Sequence, residues 1–174
     1  MFRPDGKQTA YLALGANLGD RLANLRAAVA ALGAAAGVEL AARSAIYETA
    51  AVADTPQPDY LNAVLRVETA RAPRPLPDLC LEIERRLGRV RPPGRDKAAR
   101  SIDLDLLLHG PTVLDEPGLQ LPHPGLLHRP FVLVPLADVA VPGLRHPVTG
   151  TPLDRAIAPA DVRLLRAAGD WSAG

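Results

Sequence analysis

The segment SIDLDLLLHG, residues 101–110, carries Asp103 and Asp105 in an otherwise apolar run that is typical of a strand. Side chains alternate across a strand, which sorts this segment into two sets. The set expected on one face is Ile102, Leu104, Leu106 and Leu108. The set expected on the other face is Ser101, Asp103, Asp105 and Leu107. The two carboxylates are therefore predicted to project the same way, roughly 7 Å apart.

Two negative charges this close on one strand are unfavourable unless another group stabilises them. At an effective dielectric of 20 they repel by about 2.4 kcal/mol, which a divalent cation would convert into attraction. Mg²⁺ prefers carboxylate oxygens and often completes its coordination with substrate phosphates. The pair Asp103 and Asp105 therefore predicts a magnesium–nucleotide site. The alternative, which the pair alone leaves open, is that both acids face solvent or pair with nearby arginines.

Cationic side chains close to the acid pair favour the nucleotide interpretation. Arg89, Arg91 and Arg100 precede it in sequence, and LPHPGLLHRPF adds His123 and Arg129. Guanidinium groups match the geometry of phosphate oxygens. Metal-binding acids on one side and arginines on the other form a frame for a polyphosphate.

A second group of residues suits a flat ligand. Aromatic residues make up only 3% of the chain, so Tyr60 and Phe131 are candidates to stack on a planar heterocycle. Asn62 follows Tyr60 on the same strand face and offers a donor and an acceptor. Core packing is the alternative for both rings. The sequence leaves open whether Glu84 neutralises an arginine or contacts the ligand.

Bulk properties narrow the class of protein. A chain of 174 residues favours one domain, and a net charge of +1 argues against a generally nucleic-acid-coated or membrane-surface protein. Cys80 is the single cysteine, which excludes a disulfide framework. The first residues, MFRPDGKQTA, lack the apolar run of a signal peptide, so a cytoplasmic protein without a membrane span is expected.

Hydrophobic periodicity predicts the order β-α-β-β-α-β. A strand ends at Gly15, and a helix follows with Asp20 as N-cap and Gly33 as its stop. VELAARSAIYETA is expected to form one long strand, and YLNAVLRVET another. A second helix in APRPLPDLCLEIERRLG closes at Gly88, and the segment with the paired acids completes the order.

This order predicts an α+β fold with a ferredoxin-like βαββαβ core, in which both helices pack on one face of an antiparallel sheet. A short hairpin near PTVLDEPG and a helix around RPFVLVPLADVA are expected as C-terminal additions. The predicted organisation is a single domain over residues 9–160, with peripheral termini at 1–8 and 161–174.

Six motifs together resemble one family. LGANLGD, YETA, QPDYLNAV, IERRLGRVR, RSIDLDLL and LPHPGLLHRPFVLVPL follow the pattern of 6-hydroxymethyl-7,8-dihydropterin pyrophosphokinases, over about residues 10–158. The resemblance implies transfer of pyrophosphate from ATP to the hydroxymethyl group of the pterin, in folate biosynthesis. AMP is the implied second product, and two Mg²⁺ ions bound with ATP are the implied cofactors.

The resemblance also implies roles for individual residues. The implied catalytic residues are Arg89, Arg100, Asp103 and Asp105. The implied pterin-binding residues are Thr49, Val52, Tyr60, Asn62, Phe131, Gly15 and Asn17. The implied ATP-binding residues are Glu84, Arg91, Arg100, His123 and Arg129. Asp103 and Asp105 are the implied ligands of both metal ions.

The chain departs from the family pattern before the acid pair. The family often carries an R-W-G-P-R run, whereas this chain has DKAARSIDLD, with Lys97 in place of the tryptophan. Arg100 is retained. A looser cover over the pterin is therefore expected.

Two other classes of protein share features of this sequence. RNA-recognition domains share the βαββαβ order, but Asp103 and Asp105 on the exposed sheet face would repel a phosphate backbone. A two-metal nucleotidyltransferase also uses paired strand acids, but its glycine-rich loop lies just before them, whereas LGAN lies far earlier. The pyrophosphokinase is the favoured interpretation, acting on ATP and the pterin as a monomer.

Overall fold

The computed structural model describes residues 6–51, 56–89, 99–155, 162–166 and 171. Its helices and strands follow in chain order. They are β1 (Gln8–Ala16), α1 (Arg21–Gly33), β2 (Val38–Arg43), β3 (Ile46–Thr49), β4 (Tyr60–Thr69), α2 (Pro75–Arg86), β5 (Asp103–His109), β6 (Leu114–Glu116), β7 (Leu119–Leu121), a 3₁₀ turn (Leu126–His128), α3 (Pro130–Val139) and β8 (Arg163–Arg166). No helix in the described part of the chain is long and apolar enough to cross a membrane.

The main sheet has the strand order β5-β1-β4-β3-β8, with β2 also paired to β4. Each of these pairings is antiparallel. The prediction of an α+β fold built on an antiparallel sheet with packed helices is confirmed. β6 pairs with β7, and α3 follows the 3₁₀ turn. That these elements are C-terminal additions to a ferredoxin-like core stays a prediction.

Apolar side chains fill both faces of the sheet. On one face, Leu25 of α1 and Ile83 of α2 share a core with Leu12 and Leu65, as the helical periodicity predicts. On the opposite face, α3 packs against Tyr11, Val64 and other apolar residues of the sheet. The residues between α3 and the ends of β1, β4 and β5 are therefore placed to form a site on the α3 face.

Helix α1 begins and ends where the sequence predicts. The carboxylate of Asp20 accepts a hydrogen bond from the backbone N–H of Ala23 at 2.9 Å, which satisfies one of the free donors of the first turn. The helix ends at Gly33. This cap fixes the direction in which the chain leaves β1 and enters α1.

The predicted long strand VELAARSAIYETA is wrong, because it is two strands, β2 and β3, separated at Ser44 and Ala45. The Ser44 hydroxyl accepts the N–H of Val64 at 2.9 Å, and the Val64 carbonyl accepts the N–H of Ser44 at 2.9 Å. Asp138 of α3 accepts the N–H of Ala45 at 3.0 Å. The strand is interrupted here because side chains replace backbone partners in the pairing.

The predicted alternation of β5 fails at one residue. The pairing of β1 with β5 shifts register between Tyr11, which faces Leu108, and Leu12, which faces Leu106, so Leu107 is an extra residue in β5. Leu108 therefore packs with Leu107 on the α3 face, and its assignment to the face of Leu104 is wrong. Asp103 and Asp105 lie before the shift and keep their common face.

The described residues of the C-terminal part, 162–166 and 171, contact the rest of the fold, whereas the sequence predicts a peripheral terminus over 161–174. β8 pairs with β3, and the Trp171 side chain is 4% exposed and belongs to the core. Its indole N–H donates to the Ser44 carbonyl at 2.9 Å, and the Arg43 guanidinium lies 5.7 Å from its ring centre. Sequence periodicity misses this contact because it joins positions far apart in the chain.

Candidate active site

Gly15, near the end of β1, lies between two polar side chains. It pairs directly with Asn62 of β4 on one side and with Asp103 of β5 on the other. Directly paired residues project to the same face, and neighbouring strands are about 4.8 Å apart. A Cβ atom at Gly15 would lie 3.6 Å from Cδ1 of Tyr60 and 3.8 Å from Oδ1 of Asn62. Because Gly15 has no side chain, β1 projects no group between the predicted pterin and phosphate residues.

Asp103 is held by two arginines. One carboxylate oxygen pairs with Arg89, and the other accepts a hydrogen bond from Nη1 of Arg100 at 2.6 Å. All three side chains are more than three-quarters buried. The arginine pairing that the sequence left open therefore occurs for Asp103, and it brings three predicted catalytic residues together.

Asp105 has a different environment. Burial and the negative charge of Asp103 raise the pKa of Asp105 to about 6, and the charges of Arg129 and Arg100 oppose this rise. Within the described residues, Asp105 receives no hydrogen bond and no ion pair. A carboxylate whose charge is poorly compensated at neutral pH suits a cation, because a cation would offset its repulsion from Asp103.

Glu84 of α2 links the helix to β5. Its side chain is almost completely buried, and one carboxylate oxygen accepts the N–H of Leu104 at 2.8 Å. The other oxygen lies 2.6 Å from Nη1 of Arg89, the same nitrogen that contacts Asp103. Glu84 therefore neutralises and orients an arginine, which is one of the two roles that the sequence left open. Its contact with ATP stays a prediction.

The donor set around Asp103 fits magnesium. Among the residues that the structure describes, no group of three or more His, Cys, Asp and Glu side chains is placed to hold a metal. Two carboxylates without further protein ligands are the pattern expected when substrate phosphates and water complete an octahedral shell. Asp103 and Asp105 are thus the side chains that could hold Mg²⁺ together with a nucleotide.

The predicted pterin residues cluster around the end of β4. Tyr60 pairs with Thr49 of β3, and the Asn62 side-chain N–H donates to the Thr49 hydroxyl at 2.9 Å. This hydrogen bond fixes the Asn62 amide and leaves its oxygen toward the space above Gly15. Phe131 lies in the first turn of α3 and is half-buried. Stacking of a ring between Tyr60 and Phe131 stays a prediction.

His123 and Arg129 come from the loop and 3₁₀ turn before α3. The backbone N–H of His123 donates to the carbonyl of Leu107 at 2.9 Å, so the extra residue of β5 anchors this loop. Nδ1 of His123 accepts the N–H of Gly125 at 3.0 Å. Burial, and then the charge of Arg129, lower the pKa of His123. The ring is therefore neutral at pH 7 with its proton on Nε2, a donor suited to a phosphate oxygen.

Three residues discussed from the sequence lie outside the described part of the chain, and one glycine of the site was not predicted. Val52, Arg91 and Lys97 lie outside the described residues. Gly125 was missed: besides its hydrogen bond to His123, a Cβ atom there would lie 2.5 Å from Nε of Arg129. The only signal for it was a glycine two positions after a histidine between prolines, which does not reveal a contact with a later arginine.

Comparisons with known proteins identify the family of this chain. Residues 11–141 match the model of the family 7,8-dihydro-6-hydroxymethylpterin-pyrophosphokinase (HPPK). A 2-amino-4-hydroxy-6-hydroxymethyldihydropteridine pyrophosphokinase of Methylorubrum extorquens is 44% identical over 131 residues, which are 75% of this chain and 82% of that protein. The enzyme of the same name from Bacillus subtilis is 41% identical over 130 residues, 75% of this chain and 77% of that protein.

Solved structures show the same fold at low sequence identity. A crystal structure of an HPPK-DHPS protein in complex with substrates matches 86% of this chain with a TM-score of 0.67 and 11% identity. The wild-type HPPK-DHPS of Plasmodium falciparum matches 85% of this chain with a TM-score of 0.61 and 13% identity. This chain spans 42% and 44% of the lengths of those two chains. On the family match and the curated relatives, this chain belongs to the 7,8-dihydro-6-hydroxymethylpterin-pyrophosphokinase family.

Proposed function

We propose that this chain transfers pyrophosphate from ATP to the hydroxymethyl group of 6-hydroxymethyl-7,8-dihydropterin, giving the pterin diphosphate and AMP in folate biosynthesis. Family membership supports pyrophosphoryl transfer. The observation that carries the proposal for this chain is the cross-strand row of Asn62, Gly15 and Asp103. It sets an amide suited to a heterocycle edge about 10 Å from an acid suited to metal and phosphate.

The reaction needs placement and charge neutralisation more than a strong base. The hydroxymethyl oxygen attacks the β-phosphorus, the bond from that phosphorus to the α–β bridging oxygen breaks, and AMP leaves with that oxygen. The proton of the attacking hydroxyl group passes to water. Asn62 and Tyr60 orient the acceptor, while Arg89, Arg100, His123 and Arg129 supply positive charge or hydrogen-bond donors along the polyphosphate.

We assign Asp103 and Asp105 as the side chains that hold magnesium with ATP, and two ions are the family expectation. Bound magnesium neutralises charge on the phosphates. The support for the assignment is Asp105, whose charge has no ion-pair partner among the described residues. Arg89 and Arg100 already pair with Asp103, so magnesium would share that carboxylate with them. In the ATP complex, phosphate oxygens would take over part of their hydrogen bonding.

The core topology, the oligomeric state and the cellular location belong to the same proposal. The strand order β5-β1-β4 followed by β2 and β3 supports a ferredoxin-like core. A monomer and a cytoplasmic location stay predictions.

One assay tests the proposed reaction. The protein is incubated with ATP, Mg²⁺ and 6-hydroxymethyl-7,8-dihydropterin, and the nucleotide product is separated and identified. AMP formed only when the pterin is present supports the proposal, whereas ADP or no turnover rejects it. Asp103→Asn, purified in parallel, is the matched inactive control, because it keeps the side-chain size and removes the charge.

A further inference from the structure

Asn17, the residue that follows β1, joins three parts of the chain. Its backbone N–H donates to the carbonyl of Arg100 at 3.1 Å, and its side-chain oxygen accepts the N–H of Arg100 at 2.8 Å. Its side-chain nitrogen donates to the Gln57 side chain at 3.2 Å and to the Pro58 carbonyl at 3.1 Å. One residue thus connects the end of β1 with the segments before β4 and before β5.

These contacts use nearly all of the hydrogen-bonding capacity of Asn17. A side-chain amide has two N–H donors and one carbonyl acceptor, and each finds a partner within the protein. The residue is 1% exposed. Little of its surface is left for a substrate, although its position in the LGAN motif predicts contact with the pterin.

The contact with Arg100 has a direct chemical consequence. Two hydrogen bonds clamp the backbone of Arg100 in the manner of a short antiparallel bridge. The guanidinium group is carried by that backbone and reaches Asp103 at 2.6 Å. Since Gln57 and Pro58 hold the other end of the Asn17 amide, the amide cannot rotate without losing hydrogen bonds inside a buried region.

We propose that Asn17 is a positioning residue that fixes the backbone of Arg100, and so aims its guanidinium group at Asp103 and the phosphates, without touching either substrate. The choice of asparagine follows from the contacts. Aspartate of the same length supplies the acceptor but not the donors, and serine supplies neither two donors nor the reach. The kinetic part of this inference rests on the proposed function, and its structural part does not.

A double-mutant cycle tests the kinetic part. Asn17→Ala is expected to lower kcat by roughly 10- to 100-fold, since a displacement of about 1 Å in a positioning group can have effects of this size. In the Arg100→Ala background the same substitution should lower kcat by less than about 3-fold, because the group that Asn17 positions is already absent. Equal factors in the two backgrounds would show that Asn17 acts independently of Arg100, and the proposal would be wrong.

Hydrogen exchange of the Arg100 backbone amide tests the structural part without any substrate. Exchange should be slow in the wild type, clearly faster in Asn17→Ala, and intermediate or slow in Asn17→Asp, which keeps the acceptor. Unchanged protection in Asn17→Ala would overturn the proposal even if kcat falls. If the wild-type protein makes no AMP, the proposed function fails, and this measurement still decides whether Asn17 holds Arg100.

Asn24 provides a matched control on α1. Its side-chain nitrogen donates to the Leu18 carbonyl at 3.1 Å, outside the candidate site. Asn24→Ala removes a comparable amide close in sequence and should change kcat less than 2-fold. Urea unfolding of each variant confirms that the folded state is populated under the assay conditions. A kcat loss in Asn24→Ala equal to that in Asn17→Ala would reject a specific role for Asn17.

Discussion

Asn62 and Asp103 lie two strands apart on one face of the sheet, and Gly15 is the cross-strand neighbour of both. The strand register therefore sets the distance between the Asn62 amide, which we assign to the pterin, and the Asp103 carboxylate, which we assign to magnesium and ATP. Because Gly15 has no side chain, β1 places no group between Asn62 and Asp103. The arrangement depends on the hydrogen bonds that pair β1 with β4 and with β5.

A side chain at Gly15 should slow the reaction, and a larger side chain should slow it more. Gly15→Ala is expected to lower kcat/KM by only about 3-fold, since its Cβ atom would make ordinary contacts of 3.6 Å with Tyr60 and 3.8 Å with Asn62. Gly15→Val adds two methyl groups there and should lower kcat/KM by roughly 30-fold or more. Steady-state AMP formation measures both effects. Gly33→Val, at a glycine with no heavy atom near its added Cβ, is the control, and equal losses at the two positions would contradict the prediction.

Arg89 offers a second test, because its Nη1 atom contacts both Glu84 and Asp103. Arg89→Lys keeps the charge, but the lysine side chain is shorter, so its ammonium nitrogen falls short of the position that Nη1 occupies between the two acids. We expect kcat/KM to fall by roughly 100-fold, the loss typical of one well-placed electrostatic donor. Arg86→Lys is the control, because the Arg86 side chain is exposed and pairs with Glu82 one helical turn away. A loss below 5-fold for Arg89→Lys would argue against the role of its geometry.

Asp105 allows a test in which stability and activity change in opposite directions. Its pKa is raised to about 6 in the folded protein, so the fold favours the protonated form. The resulting destabilisation is absent below about pH 4, develops as the pH rises through 6, and is complete above it. Without metal at pH 7.5, Asp105→Asn should therefore be more stable than the wild type by roughly 1–3 kcal/mol, and at pH 4 the two should be similar. Activity should be lost.

Urea unfolding in the presence of a chelator measures this difference. Asp115→Asn is the control, since Asp115 is exposed in β6 and accepts a hydrogen bond from Gln120. If Asp105→Asn is no more stable than the wild type at pH 7.5, the carboxylate is not held in an unfavourable environment. The argument that a cation would relieve it would then lose its physical basis.

Local patterns predict those parts of the fold that depend on neighbouring residues. The Asp20 cap of α1 and the common face of Asp103 and Asp105 follow from spacing and residue type. The arginines near the acid pair could also be anticipated, because short stretches of chain carry them to it. These features need no knowledge of distant partners.

Contacts between distant segments set the features that sequence reasoning missed. The extra residue Leu107 in β5 is anchored by the backbone of His123, and the break at Ser44 depends on Val64. Neither leaves a periodic signal, because a strand with a bulge or a bend has the same composition as a straight one. Asn17 is similar: its motif marks it as functional, but only the fold shows that its partner is Arg100.

Trp171 gives the last prediction, because the peripheral terminus expected from sequence contains a core residue. Its indole is 4% exposed, donates to the Ser44 carbonyl at 2.9 Å and lies near Arg43. Trp171→Ala should lower the free energy of unfolding by about 3 kcal/mol, through lost burial and an unpaired carbonyl at the bend between β2 and β3. Urea unfolding followed by far-UV circular dichroism measures this free energy, because Trp171 is the single tryptophan of the chain and its removal leaves no tryptophan fluorescence to follow.

Val148→Ala, at a 64% exposed side chain, is the control and should change stability by less than about 0.5 kcal/mol. A loss below 1 kcal/mol for Trp171→Ala would mean that this residue does not hold the C-terminal segment against the bend that precedes β3.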